Sequence, residues 1–174
     1  SDLVADADKT IAASIAVTDT AGNTGTVATT HPYLVDNTAP NANTTTLTID
    51  NVTADNIVNS AEGAQANVAI TGKARGEFTA GDVVTLTVNG KTFTGAVNAQ
   101  GVFSINVPGS DLLADGDKII AASVVAHDKA GNSGTISTTQ AYTVDNTAPT
   151  TTVDITAITA DSGVSGSDFI TNDN

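Results

Sequence analysis

The chain has 174 residues, with 19 Asp and Glu against 6 Lys and Arg, a formal net charge of −13 and a hydrophobic fraction of 40%. So acidic a surface repels phosphate backbones and anionic lipid, which argues against nucleic-acid binding and direct membrane contact. The apolar residues, mostly Val, Ile, Leu and Ala in short runs, are too many for a disordered tail, so the chain is expected to fold; with no Cys, it forms neither a disulfide nor a thiolate metal site.

Residues 1–40 return as residues 110–149, an offset of 109, with 26 of 40 aligned positions identical. Turns and acidic loops recur in register, which reads as a window on a tandem array. Three segments follow: 1–36 as the C-terminal strands of a preceding repeat, 37–146 as one complete repeat, and 147–174 as the N-terminal part of a following one. The complete repeat, roughly 110 residues, has the usual size of a domain. The outer segments lack the middle strands, so each is expected to leave an edge open.

Within the complete repeat the segments read as strands. Residues 45–50 and 66–71 alternate or nearly so. Residues 83–88 put Val84, Leu86 and Val88 on one face. Asn89-Gly90 follows as a hairpin turn, since both central residues of a type I′ turn need positive φ. The partner strand is 91–97, with Phe93 as its expected core anchor. After a turn at 98–101, Phe103, Ile105 and Val107 share a face. A single helical turn is expected at 110–114. Residues 119–126 then turn Ile120, Ala122, Val124 and Ala126 inward, and 135–144 form the last strand, with Ile136 and Tyr142 inward. Seven β-rich strands without a helical period predict an all-β, two-sheet antiparallel sandwich.

Antiparallel order sorts the loops between two ends. Glu77, Asp82, Asn98 and Asp128 fall at the leading end. Asp55, Asn59, Glu62, Asn89, Asp111, Asp115, Asp117 and Asp145 fall at the trailing end. Stacked units then bring Asp2, Asp6, Asp8 and Asp36 towards Glu77, Asp82 and Asp128. Bare, such carboxylates repel, and a hard dication answers them: calcium takes six to eight oxygen ligands. Asp6-Ala7-Asp8 and Asp115-Gly116-Asp117 are expected to point two carboxylates to one side of a loop. Asp19 and Asp128 open matching Asp-x-Ala-Gly-Asn turns whose Asp also caps its own amides. Neither His31 nor His127 recurs as His, which leaves an oxygen donor set suited to calcium more than magnesium. Pro40 and Pro149 stiffen the linkers behind Asp36 and Asp145.

Catalysis finds little support. Dinucleotide, phosphate-loop, nucleophile-elbow and His-Glu-x-x-His zinc motifs are missing. His31 and His127 read as surface residues, and Lys73, Arg75, Lys91 and Lys129 as solubilising charges. Aromatics are 3% of the chain, too few for a sugar-stacking platform beside paired carboxylates.

Val-Asp-Asn-Thr-Ala-Pro at 35–40 and 144–149, Asp-x-Ala-Gly-Asn at 19–23 and 128–132, and Asp-Gly-Asp at 115–117 resemble the bacterial immunoglobulin-like repeats of giant RTX-type adhesins. The resemblance implies immunoglobulin-like antiparallel β-sandwich repeats in tandem, in a protein secreted by a type I system and held at the bacterial cell surface. It implies calcium-stiffened extender units that hold a ligand-binding module away from the cell, with neighbouring repeats as partners and any host or substratum ligand met through other domains. Asp36, Asp128 and Asp145, with Asp19 equivalent to Asp128, are its first calcium candidates. Asp6, Asp8, Asp55, Glu62, Glu77, Asp82, Asp115 and Asp117 complete the set in the first two units; Asp161, Asp168 and Asp173 are the candidates in the third, where an insertion departs from the earlier pattern. The alternative is a carbohydrate- or protein-binding module, and a strand-complemented fibre is a third reading.

Overall fold

Strict alternation of apolar side chains builds two facing sheets. The computed structural model describes residues 2–156 together with 165 and 169. A leading segment holds α1 (Asp2–Ala5), β1 (Thr10–Thr18) and β2 (Thr24–Pro32). After it come β3 (Thr45–Ile49), β4 (Ile57–Asn59), α2 (Ser60–Gly63), β5 (Val68–Gly76), β6 (Val83–Val88), β7 (Lys91–Ala96), β8 (Val102–Val107), α3 (Gly109–Ala114), β9 (Ile119–His127), β10 (Ser133–Ala141) and β11 (Thr143–Asp145).

One sheet runs β10-β9-β6-β7 and the other β3-β5-β8, all neighbours antiparallel. Because side chains alternate faces, Val84, Leu86 and Val88 point inward from β6 and Ile120, Ala122, Val124 and Ala126 from β9. Leu47, Ile49, Ile70, Phe103, Ile105 and Val107 meet them from the opposite sheet. Each fully buried Val, Leu, Ile or Phe contributes about 1.5–3 kcal/mol of transfer free energy, so this interface dominates the stability of the unit. Gly72 lies beneath the Phe103 ring, where any Cβ would strike the ring and the Thr48 carbonyl.

Several expectations change in detail. The strand expected at 66–71 runs from Val68 to Gly76. The strand expected at 135–144 is two: β10 stops at Ala141, and β11 crosses over to pair parallel with β4. The sandwich is therefore not wholly antiparallel. Asn56 makes the crossover possible. At a φ of 62° it turns the chain into β4, its Nδ2 donates to Ala141 O at 2.9 Å, and its Oδ1 accepts from Val52 N at 3.1 Å. Phe93 packs against the rim of the core, half-buried, because Gly95 and Phe93 sit on the edge strand β7. The helical turn near 110–114 is α3, and α2 is an additional one, closed by a reciprocal cap between Asn59 and Glu62.

The leading hairpin repeats β9–β10 with no covering sheet among the described residues. Leu3, Ile11, Ile15 and Val27 are 53%, 50%, 62% and 59% exposed, while their counterparts Leu112, Ile120, Val124 and Ile136 are 0%, 0%, 0% and 6% exposed. The same face that makes a core from β9–β10 is open in β1–β2 among the described residues.

Candidate functional site

The segment joining β2 to β3 sits against the turns that follow β5 and β9. Asp36 Oδ1 accepts from Thr38 N at 3.0 Å, an Asx turn that shapes the linker, and Pro40 is buried. Across from it the β9–β10 turn is held by Asp128, whose Oδ1 accepts from Asn132 N and whose Oδ2 accepts from Asn132 Nδ2, each at 2.8 Å. The same Nδ2 donates to the Asp36 main-chain oxygen at 3.1 Å. Gly76, at φ 93°, ends β5 and swings Glu77 to the same place.

Asp36, Glu77 and Asp128 thereby line one cleft of about 330 Å³, with Phe78 and Lys129 at its walls. Glu77 Oε2 is buried there with no hydrogen-bond partner among the described residues. An unsatisfied carboxylate oxygen is costly, and the cleft is lined by three acidic residues and one lysine. The hydrogen bond from Asn132 holds the Asp128 carboxyl below its usual 3.8. Among the described residues no three His, Asp or Glu side chains converge into a preformed metal-binding group. A cation seated here would draw on main-chain carbonyls and water as well as these carboxylates, as calcium does.

The other acidic candidates lie outside this cleft. Asp82, at the same end, is buried and turned inward: Oδ2 accepts from Thr79 N at 2.8 Å and His127 N at 2.9 Å, and Oδ1 lies 2.7 Å from His127 Nδ1. His127 is exposed, as expected, and is a partner of Asp82. Asp6 and Asp8 do not join the cleft. Asp6 Oδ2 accepts from Tyr33 at 2.7 Å and Asp8 Oδ1 from Thr10 N at 3.0 Å, both inside the leading hairpin. Asp19 repeats the Asp128 turn, accepting from Ala21 N and Asn23 N at 2.9 Å and from Asn23 Nδ2 at 2.8 Å.

At the trailing end Asp145 and its neighbours Asn146 and Thr147 share a cleft of about 250 Å³ with Asn59 and Ser60. Asp145 Oδ1 accepts from Thr147 N at 3.0 Å, the Asx turn of Asp36 repeated, and the Ser60 hydroxyl donates to Asn146 O at 3.2 Å. Glu62 Oε2 accepts from Asn59 N at 3.0 Å. Asp55 Oδ1 accepts from the Thr53 hydroxyl at 2.9 Å and Ile57 N at 3.0 Å. The Asp-Gly-Asp loop does not aim both carboxylates one way. Asp115 turns inward to the Tyr142 hydroxyl at 3.0 Å, and Asp117 Oδ1 accepts from Ile119 N at 3.0 Å. Asp161, Asp168 and Asp173 lie outside the described residues.

Two pairings were not visible in the sequence. Lys91, expected to be a solubilising charge, pairs with buried Asp111 at 2.6 Å. Asp82 and His127 lie 45 positions apart, brought together by the pairing of β6 with β9. The Asn132 bridge did have a signal, the Asn that closes each Asp-x-Ala-Gly-Asn turn. Another cleft, of about 450 Å³, is on the outer face of the four-stranded sheet, lined by Thr85, Thr87, Ser123 and Ser137 among others, with no aromatic side chain.

The fold and the acidic linker junction define an immunoglobulin-like β-sandwich repeat. The chain belongs to the bacterial immunoglobulin-like adhesin repeats: it is 40% identical to a bacterial immunoglobulin-like domain from the M. primoryensis ice-binding adhesin, covering 96% of that domain and 57% of this chain, with a TM-score of 0.53. It is also similar to a Ca2+-stabilized adhesin with which an Antarctic bacterium reaches out and binds ice, at 37% identity and a TM-score of 0.60 over 84% of this chain and 34% of that one. A third similar structure concerns the host cell surface retention of a 1.5-MDa bacterial ice-binding adhesin, at 35% identity and a TM-score of 0.65, covering 84% of this chain and 45% of that one. The chain thus spans less than half of these two structures. No protein-family model matches the sequence, and no curated protein does.

Proposed function

We propose that the chain is an extender segment of a large bacterial surface adhesin, secreted by a type I system, non-enzymatic, and stiffened at its junctions by calcium. In this reading 1–36 are the closing strands of one repeat, 37–146 a complete repeat, and 147–174 the start of the next; the exposed face of β1–β2 is then the inner face of a sandwich shared with a preceding segment. The cleft of Asp36, Glu77 and Asp128 carries the reading, above all the buried, unpartnered Glu77 oxygen. Asp36 belongs to the linker and the other two to the following unit, so one ion held among them ties the two together. Calcium supplies positive charge that removes carboxylate repulsion, and binding to the folded form alone raises stability. Neighbouring repeats are the direct partners, and a host or substratum ligand is met through other domains.

Small-angle scattering with calcium and with EDTA tests this. The maximum dimension and the order of the junction should both fall in chelator, and Glu77→Gln should weaken the calcium response. An identical envelope in both conditions overturns the calcium reading.

A further inference from the structure

Gly134 poses a question that strand chemistry does not answer. Glycine inside a strand weakens it, and neither Gly134 nor its counterpart Gly25 has the positive φ that would call for glycine. Space supplies the reason at Gly134. The three heavy atoms nearest to an added Cβ all belong to the Pro40 main chain, and its carbonyl oxygen would fall well inside contact distance. Two residues earlier, Asn132 Nδ2 donates to Asp36 O at 3.1 Å. Both ends of the Asp36–Pro40 linker are therefore received by the first residues after one β-turn: a hydrogen-bond donor at 132 and a missing side chain at 134. Pro40 is buried against this surface.

We propose that Asn132 and Gly134 form a metal-independent receptor for the linker, which fixes how each unit leaves the one before it, and that calcium acts on a linker already seated. The inference rests on the tandem reading above. The motif recurs as Asn23 and Gly25 in the leading hairpin, where a Cβ on Gly25 would meet nothing within 4 Å and Asn23 Nδ2 bonds Asp19. A glycine kept where neither φ nor a local neighbour demands it marks the same receptor. Its occupant is an Asp-Asn-Thr-Ala-Pro segment like 36–40, offering an Asp main-chain carbonyl to the amide and a Pro carbonyl to the glycine.

The test compares the wild-type 174-residue chain with Gly134→Ala and with Asn132→Ala, all in EDTA, by NMR backbone order parameters. Amides 37–39 of the wild type should read as rigid, near about 0.85, and fall below about 0.6 in both variants, with the β6–β9 amides unchanged. Asn132→Ala removes the turn's amide donor and no core contact, so it decides the matter if Gly134→Ala fails to fold. Wild-type linker amides that are already mobile in EDTA, or variants as ordered as the wild type, overturn the receptor. The calcium reading is judged separately, by the wild type with and without calcium. Loosened variants with no calcium effect sink that reading alone, and a calcium effect with unchanged variants sinks the receptor alone.

Discussion

Tyr142 and Asp115 meet at 3.0 Å, both buried, and the same hydroxyl also donates to Leu112 O at 2.8 Å. Asp115 further accepts from Asn89 N at 3.2 Å, and Lys118 Nζ donates to Leu113 O and Asp115 O. One phenol thus ties α3, the β6–β7 turn and the β10–β11 corner together. The leading hairpin repeats the arrangement with Tyr33, Leu3 and Asp6. Burial and then the Asp6 hydrogen bond push the Tyr33 phenol up to about 12, so it remains a donor throughout the physiological range.

Tyr142→Phe should therefore lower stability by about 1–3 kcal/mol, the cost of leaving a buried carboxylate and carbonyl short of a donor. Urea denaturation reads it. Tyr33→Phe should cost less, because Leu3 is exposed and Asp6 only half-buried; equal losses would contradict the assignment.

The two copies supply a matched pair of core deletions. Leu112→Ala removes a side chain that is 0% exposed and should cost about 2–5 kcal/mol; Leu3→Ala, at 53% exposure, should stay within about 0.5 kcal/mol. Urea midpoints for the two variants check the contrast, and any stabilisation gained at Leu3 in a chain extended towards its N-terminus would report the covering of that face.

Gly72→Ala should destabilise by about 1–3 kcal/mol, since the added methyl meets the Phe103 ring and the Thr48 carbonyl between paired strands. Thermal unfolding of Gly72→Ala alongside Gly116→Ala, whose Cβ meets nothing within 4 Å, separates crowding from the general effect of replacing glycine.

Acid should unfold the unit in a defined direction. Burial pushes Asp82 up, but amide donors at Thr79 and His127 more than offset it; Lys91 holds Asp111 down and Asn132 holds Asp128 down, all below the usual 3.8. A depressed folded-state value contributes stability that is complete above the unfolded value and is lost as pH falls through the folded one. Urea midpoints should hold steady from neutrality to about pH 5 and drop below it. Asp111→Asn should flatten that drop while lowering the neutral-pH midpoint.

Alternation made the sandwich legible: the faces of Val84, Leu86 and Val88, and of Ile120, Val124 and Ala126, follow from period two alone. What stayed hidden depends on contacts far apart in sequence. β4 is three residues long and shows no period of its own, and the crossover to β11 needs Asn56 to reach Ala141. The cap of α2 was written in Asn59 and Glu62, yet without a following apolar run it gave no helix signal. Turn chemistry did place Asp19 and Asp128 in local caps; the Asx turns of Asp36 and Asp145 came from the structure, and so did the Glu77 oxygen left without a partner among the described residues, which burial distinguishes.

The crossing of β11 to β4 also decides how the unit bears tension. Thr143, Val144 and Asp145 lie alongside Ile57, Val58 and Asn59 in the same direction, with the chain leaving beyond Asp145. A pull at that exit runs along the strand, so all of its rungs take the strain at once instead of peeling apart in turn, and Val144 must slide past Val58 before the domain can give way.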